Sequence, residues 1–582
     1  MLGPPPPPPP AYDHTDCADH PELGWCRGEA DLLDSRNARA ELVRAAVLDA
    51  LAFHCAECHS SLAPPPGRYE PLAIDDLDAL VRDGQIVPLN SAASPLLARS
   101  QSGEMPPPGS ARPPLAQADL DMLALFIDSP SFWPQASPSD CDAAARFSDF
   151  DLVFQSVAAD LATLPSTELA FYRYLSLTNR ANTACSEAEL EGDRRALRKG
   201  LNMLSLSPSV QAPIAIDDTR RIYRIDLRDF DWTRSLERNG NRFGDVWEAI
   251  AAESPYSVEF TGDAASLAKT ATGTAFPMLF ADHLLDQALS GELYYAIVGV
   301  RPGEALYDFE VRALGVDAPQ ALDSGLVQRA GTSRSRVTGY DRGVQRYELT
   351  AGGVFWQSID HTSSAYGIFE DPLEGWWNPA QDIFSLPNGL FAFVGSDPND
   401  LFVSGTGVRF DTLDYPLPAG TGVSCSACHA SGLIPVVDEI KPVALRNARE
   451  IGLDAAELER IEQVYPEPSS FLQTLASDSA RYQQALSQLQ LPITGADPVA
   501  SASLRFGAPL TLRDAAGELG LRPEALAARL SRVAPRLSAL ESGTLGRDAF
   551  GAVYVASLCV LSEPLANRPD AAACERALAR SP

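Results

Sequence analysis

Residues 425–429 of this chain are Cys-Ser-Ala-Cys-His, and residues 55–59, towards the other end, are Cys-Ala-Glu-Cys-His. The Cys-x-x-Cys-His pattern is typical of covalent c-type haem attachment, in which two thiols add to the haem vinyl groups and the adjoining histidine becomes the proximal iron ligand. Because the 582 residues include only 10 cysteines and 7 histidines, two chance copies are improbable. The sequence therefore predicts two haem c groups, attached through Cys55, Cys58, Cys425 and Cys428 and ligated by His59 and His429.

Two other chemistries use paired cysteines. Two Cys-x-x-Cys pairs can form a four-thiolate zinc cage, and a single pair can carry out thiol–disulfide exchange. Neither chemistry requires a histidine directly after the second cysteine, yet both copies here have one. The sequence favours haem over zinc and over dithiol chemistry for this reason.

Length and charge restrict the classes of partner. A chain of 582 residues is long enough for roughly three or four domains. Its formal net charge of −31 opposes binding to nucleic acid and to anionic lipid, because phosphate groups would be repelled. We expect redox partner proteins, with basic ones favoured electrostatically, and no nucleic-acid partner.

The cofactor also predicts a compartment. Bacteria attach c-type haem outside the inner membrane, so we expect a periplasmic, extracellular or envelope-attached protein. No apolar run reaches the roughly 18 residues of a membrane span, and the start of the chain has neither the basic end nor the apolar middle of a signal peptide. We therefore expect a precursor that begins upstream, with the prolines at 4–10 acting as a stiff tether; a disordered tail is the alternative.

Six cysteines lie outside the two haem motifs. An even number suits an oxidising compartment and predicts three disulfides, although 15 connectivities are possible and free buried thiols are the alternative. Proximity in sequence favours the pairs Cys17–Cys26, Cys141–Cys185 and Cys559–Cys574.

The residues around the first motif resemble the class I cytochrome c family. A helix is predicted to begin at Asp34 or Ser35 and to run into Cys55, with Val47 and Leu51 on its apolar face. Such an entry helix before Cys-x-x-Cys-His is a feature of that family.

The resemblance continues at Met105-Pro-Pro-Pro-Gly109. In the family a methionine followed by prolines is the usual distal ligand, which implies that Met105 is the sixth ligand of the first iron. A closing helix is predicted over Leu115–Asp128, with Leu120, Leu123 and Ile127 facing inward and Met122 packing rather than ligating. Residues 34–131 are thus expected to form a small all-α cytochrome c domain.

Further along the chain, hydrophobic patterns predict a multidomain α+β protein. Helices are expected over Asp149–Leu164, Glu168–Asn182 and Asp245–Glu253, a strand near Tyr223–Leu227, and a hairpin over Asp382–Val394 around Asn388-Gly389. Five helices are predicted after His429. The expected domains are a tether and disulfide-pinned segment (1–33), the cytochrome domain (34–131), a helical connector (132–213), a central mixed α+β domain (214–420) and a mainly helical haem-bearing domain (421–582).

Short phrases in the second half of the chain suggest a second resemblance. Residues 224–230, 386–390 and 422–429 together look similar to a family of large exported bacterial haem-binding proteins of unsettled activity. This resemblance covers much of residues 215–560 and implies a haem protein, but no mechanism.

The sixth ligand of the second iron is left open by the sequence. No methionine follows His429, because the five methionines lie at positions 1, 105, 122, 203 and 278. A histidine, lysine or methionine from elsewhere in the chain could fill the position, or it could stay open. Among the remaining histidines, His283 and His361 are the better candidates.

The sequence is compatible with three functions. In the favoured one, both irons are six-coordinate and the protein transfers electrons. In the second, the C-terminal iron is open and reacts with peroxide or another oxidant, an arrangement similar in concept to the dihaem cytochrome c peroxidases, from which the chain departs by its central domain and its N-terminal cytochrome module. In the third, the second haem is structural in an envelope protein.

The Met105 assignment is testable by substitution. A thioether stabilises ferrous over ferric iron, so Met105→Ala should lower the midpoint potential of the first haem, as measured by spectroelectrochemical titration. Met122→Ala, which changes a methionine expected to pack, is the matched control and should leave that potential in place. An unchanged potential in a folded Met105→Ala protein would remove Met105 as ligand.

Overall fold

The computed structural model describes most of the chain after residue 46. The described residues are 47–48, 50–55, 59, 74, 77–82, 84–88, 90–107, 113–128, 147–184, 186–238, 240–301, 304–333, 341–361, 367–373, 380–396, 421–493, 495–533, 535–561 and 566–580. The expected tether, the start of the entry helix, Cys58 and the disulfides Cys17–Cys26 and Cys141–Cys185 lie outside them.

Helices dominate both ends of the described chain. They are α1 (47–48 and 50–55), α2 (Leu77–Arg82), α3 (Pro95–Gln101), α4 (Gln117–Asp128), α5 (Phe150–Leu161), α6 (Thr178–Thr183), α7 (Glu187–Met203), α8 (Val246–Glu253), α9 (Asp263–Thr272), α10 (Ala281–Ala288), α11 (Gly291–Val298), α12 (Leu306–Leu314), α13 (Ala318–Asp323), α14 (Thr421–Cys428), α15 (Ile440–Asn447), α16 (Ala455–Val464), α17 (Pro468–Gln488), α18 (Pro498–Gly507), α19 (Leu512–Glu518), α20 (Pro523–Ala527), α21 (Leu530–Val533), α22 (Arg547–Leu561) and α23 (Ala571–Arg580).

Strands lie between these helical regions and form small sheets. They are β1 (Tyr172–Ser176), β2 (Ile214–Ala215), β3 (Ile222–Asp226), β4 (Leu236–Arg238), β5 (Asn241–Phe243), β6 (Phe260–Thr261), β7 (Met278–Phe280), β8 (Gln328–Thr332), β9 (Asp341–Glu348), β10 (Val354–His361), β11 (Ala380–Ser385), β12 (Phe391–Gly395) and β13 (Arg568–Pro569). The described residues thus form a mixed α and β structure, in agreement with the general class predicted.

One predicted helix is wrong. The segment Glu168–Asn182 holds strand β1, which lies inside the four-stranded sheet β2-β3-β1-β7, antiparallel to β3 and parallel to β7. Tyr174 and Leu175 are both fully buried, so both faces of β1 are covered and the strand lacks the alternation of apolar and polar residues that marks a half-exposed strand. The expected connector over 132–213 therefore supplies an inner strand to the same sheet as β2, β3 and β7.

The predicted hairpin is confirmed. Strands β11 and β12 pair in antiparallel fashion with Ile383 opposite Phe393, and Gly389 adopts a φ of +91° in the turn between them. They form one end of a five-stranded antiparallel sheet in the order β12-β11-β10-β9-β8. One face of this sheet packs on α17 through Trp356, whose ring lies 5.6 Å from that of Phe471, and the other packs on α12 through Phe355.

Helix α4 is buried on all sides. Leu120, Leu123 and Ile127 face the core as predicted and Met122 is packed, but every residue from 120 to 127 is buried, including Asp121. Its neighbours explain this: α1 and α4 line one small cavity together, and α14 and α18 pack against other parts of α4. A helix surrounded by protein carries apolar residues all round, as Leu-Asp-Met-Leu-Ala-Leu-Phe-Ile does here.

The remaining helix predictions agree with the structure within a few residues, except that the helix expected over Pro523–Leu540 divides into α20, α21 and a 3₁₀ turn at Ser538–Glu541. The predicted disulfide Cys559–Cys574 is present and joins α22 to α23. None of the described helices combines the length and the apolar character needed to cross a membrane.

The disulfide is expected to stabilise the C-terminal helix pair. It closes a loop spanning 15 positions, for which restriction of the unfolded chain contributes about 3 kcal/mol. The double variant Cys559→Ser/Cys574→Ser should lower the free energy of unfolding by about that amount in chemical denaturation, and reductant should have the same effect on the wild-type protein. Equal stability with and without the bond would contradict this prediction.

Candidate haem site

Helix α14 carries the second Cys-x-x-Cys-His motif. Its start lies close against α11, since a side chain at Gly422 would come 2.9 Å from the Leu289 carbonyl oxygen and 3.0 Å from the Tyr294 ring. Cys425 and Cys428 are three residues apart on the helix, so their side chains leave the same face. Neither thiol is in a disulfide.

The two motifs share one local geometry. The backbone N–H of His429 donates to the Cys425 carbonyl oxygen at 2.9 Å, and the N–H of His59 donates to the Cys55 carbonyl oxygen at 3.0 Å. In both, the histidine therefore continues the helical hydrogen-bonding of the helix that carries its cysteines. Cys58, which completes the first motif, lies outside the described residues.

The imidazole of His429 is held by the turn that follows it. Its Nδ1 lies 2.9 Å from the Gly432 carbonyl oxygen, which fixes Nδ1 as the protonated nitrogen and leaves Nε2 with a free lone pair. Gly432 adopts a φ of +127°, and a side chain there would lie 2.9 Å from the Cβ of Ser479 on α17. The Ser479 hydroxyl accepts from the Leu433 N–H at 3.0 Å, so α17 supports the turn.

Burial controls the protonation of the motif. It raises the pKa of the Cys425 and Cys428 thiols to about 12, with the neighbouring thiol adding to the effect at Cys425 and the carboxylates of Asp121 and Asp119 adding to it at Cys428. Burial likewise lowers the pKa of His429 to about 4. All three residues are partly buried and keep some accessible surface.

Strand β12 lies beside the motif. The Phe393 ring packs 5.9 Å from the His429 ring. On the same face of the sheet, Arg342 pairs with Asp360 through contacts of 2.7 and 2.6 Å. Burial is the main cause of the lowered pKa of His429, and Arg342 adds to it. The motif therefore has a cation on the side of the sheet.

The candidate distal histidines are not brought to His429. His361 ends β10 and is one residue from Asp360, so strand alternation places it on the opposite face of the sheet from Arg342 and Phe393. Its Nε2 is buried without a hydrogen-bond partner among the described residues. The ligand role of His361 remains a prediction without support from this arrangement.

His283 belongs to a different cluster. Its Nε2 lies 2.6 Å from Glu518, and with Asp282 these form the one group in the described part of the chain that brings three potential metal-ligating atoms within 4.8 Å of one another. Arg547 donates to Glu518 at 2.9 Å and Asn179 donates to both oxygens of Asp282 at 3.0 Å.

These contacts indicate a structural charge network rather than a metal site. Both carboxylates already accept hydrogen bonds, and the positive charge of the Arg547 guanidinium would repel a metal cation. Burial works against ionisation of Glu518, but Arg547 and His283 hold its pKa well below the usual range. Nothing in the sequence pattern connects Glu518 with residues so far away, so this network could not be predicted.

The first motif lies near the second across α4. His54, next to Cys55, is buried with its Nδ1 2.8 Å from the Pro113 carbonyl oxygen and its Nε2 3.7 Å from Asp119 on α4. The same helix packs on α14. Sequence reasoning missed this closeness; the available signal was the continuous apolar run of α4. The structure also places Met105 in the segment after α3, with its N–H donating to the Arg99 carbonyl oxygen at 3.1 Å.

Comparison with known proteins gives no identification. The chain matches no protein-family model, no curated protein and no solved structure.

The residues of the second motif fit a covalently attached haem. Two thiols share one helix face, the neutral imidazole is oriented through Nδ1, and Nε2 has no hydrogen bond within the described residues. A thiolate metal site fits less well, because in the described part of the chain no third potential metal-ligating atom is gathered with those of Cys425 and Cys428.

The turn at Gly432 provides a direct test of this geometry. Gly432→Ala should strain a φ of +127° and press on Ser479, with a loss of about 1–3 kcal/mol in the free energy of unfolding and less haem retained at the second motif. Gly452→Ala is the matched control, since Gly452 also has a positive φ (+79°) but no atom within 4 Å of the added carbon. Equal effects of the two substitutions on haem content would refute the role assigned to the turn.

Proposed function

We propose that this chain is an exported dihaem c-type cytochrome that transfers electrons between partner proteins, with the two haem sites coupled across helix α4. The attachment residues would be Cys55 and Cys58 at the first site and Cys425 and Cys428 at the second. The iron ligands would be His59 and Met105 at the first site and His429 at the second. Each haem, when bound, supplies a one-electron ferric/ferrous couple.

The packing of α4 is the observation that carries this proposal. Two motifs at opposite ends of the sequence are carried by α1 and α14, and α4 contacts both helices. Asp119 on α4 interacts with His54 beside the first motif and also adds to the raised pKa of Cys428 in the second. Such proximity suits transfer between two sites inside one protein.

The residues around the second motif supply orientation and a fixed environment. Gly432 and Ser479 hold His429 in one tautomer and one position. Arg342 lies on one side of the motif, and its ion pair with Asp360 holds it in place. The negative net charge of the chain suits basic redox partners.

The first experiment is a haem count on the purified protein from an export-competent host. We expect two haems per chain by pyridine haemochrome, and one in the double variant Cys425→Ala/Cys428→Ala. Cys559→Ser/Cys574→Ser, which removes two cysteines outside the motifs, is the control and should keep both haems. A protein without haem would overturn the proposal.

Electron transfer is tested by rapid single-electron reduction followed by absorbance. We expect redistribution of the electron between the two haems at a rate independent of protein concentration, and its loss when Cys425 and Cys428 are replaced. A high-spin iron that binds cyanide quickly would favour the peroxidase-like hypothesis instead. Failure of the second haem to be reduced would favour a structural role.

A further inference from the structure

Asp121 is a charged residue in an otherwise apolar, buried helix. It is the one ionisable side chain among residues 120–127 of α4, and only 2% of its surface is exposed. Its Oδ1 accepts from the Gln117 amide at 2.8 Å, but Oδ2 is buried and has no hydrogen-bond partner among the described residues. An unpaired buried carboxylate oxygen costs about 1–3 kcal/mol or more, so the position demands an explanation.

The neighbouring charges do not neutralise Asp121. The cation that acts on Asp121 is Lys199 on α7, which is 1% exposed and makes its ion pair with Asp497, the N-cap of α18. Burial works against the charged form of Lys199, yet Asp497 holds the pKa of Lys199 above its usual range, so Lys199 stays protonated and is already paired with another carboxylate. In the described part of the chain Asp121 takes part in no ion pair.

Every element packed against α4 presents titratable or polar groups in this region. They are His54 on α1, Arg99 on α3, Ser91 in the turn before α3, Cys425 and Cys428 on α14, and Asp497 and Arg505 on α18, with Lys199 on α7 and Tyr482 on α17 nearby. Arg505 is paired with Asp193 and Arg99 with Glu104. None of these groups provides Asp121 with a matched countercharge.

We propose that Asp121 is a redox-linked proton site, which takes up a proton when the haem sites on either side of α4 are reduced and releases it on reoxidation. This inference rests on the proposed dihaem function. An external one-electron donor supplies the electron. Bulk water supplies the proton, which forms an O–H bond at Oδ2 of the Asp121 carboxylate, and the reverse steps restore the starting state.

The physical basis is electrostatic. Reduction removes one positive charge from a low-dielectric region that already contains the Asp121 carboxylate, which strengthens the attraction of that carboxylate for a proton. Burial, opposed by the Gln117 hydrogen bond and reinforced by Asp497, raises the pKa of Asp121 to about 7. Its proton occupancy is therefore easily changed near neutral pH.

The test is a redox titration of the holoprotein at pH values on both sides of 7. We expect the midpoint potential of at least one haem to fall as pH rises. The limiting slope is about 59 mV per pH unit, which corresponds to a tenfold change in the reduction equilibrium. Asp121→Asn should flatten this dependence. Asp128→Asn is the control and should keep it, because Asp128 lies on the same helix but has both oxygens bound by Ser91 at 2.6 Å.

Infrared difference spectra provide a second, independent readout. Reduction of the wild-type protein should produce a carboxylic-acid C=O band, and Asp121→Asn should lack it. Two haems with pH-independent potentials, or the same pH dependence in Asp121→Asn, would overturn this inference while leaving the proposed function intact. Absence of haem would instead overturn the proposed function itself.

Discussion

The burial of α4 from every side is the constraint on which the arrangement of this protein depends. One part of the helix packs on α1, which leads into the first motif, while others pack on α14 and α18. An apolar helix is stable only when other elements cover it, and α1 and α14, which carry the two Cys-x-x-Cys-His motifs, both cover part of α4. The N-terminal region and the C-terminal region therefore share one core.

The second motif is rigid for a related reason. Helix α14 is wedged between α11, which approaches Gly422, and β12, whose Phe393 packs on His429. The turn after the helix is held by α17, and α17 is itself fixed to the five-stranded sheet through Trp356 and Arg346, both of which contact Asp478. The sheet thus acts as a support for the imidazole, which gives the central strands a role that their sequence did not reveal.

Local pattern explains what could be predicted from sequence. The two motifs, the closing helix α4, the β11–β12 hairpin and the Cys559–Cys574 bond each depend on residues close together in the chain. Strand β1 was missed because a strand buried on both faces has no alternation. The turn at Gly432, the position of His361 behind the sheet and the Glu518 network depend on tertiary contacts, which no local pattern encodes.

The buried polar groups around Glu518 differ from the buried Asp121 in a way that bears on function. Around Glu518, each charge has a partner: Arg547 and His283 for the carboxylate, Asn179 for Asp282. Breaking such a network by removing one partner is costly because it leaves a buried charge unpaired, so we assign the network a structural role. Asp121 accepts one hydrogen bond from the Gln117 amide, and its Oδ2 has no partner among the residues that the structure describes, in a helix where leucine would pack without that penalty. Stability alone does not account for a carboxylate at this place, whereas a site that changes charge with its surroundings does.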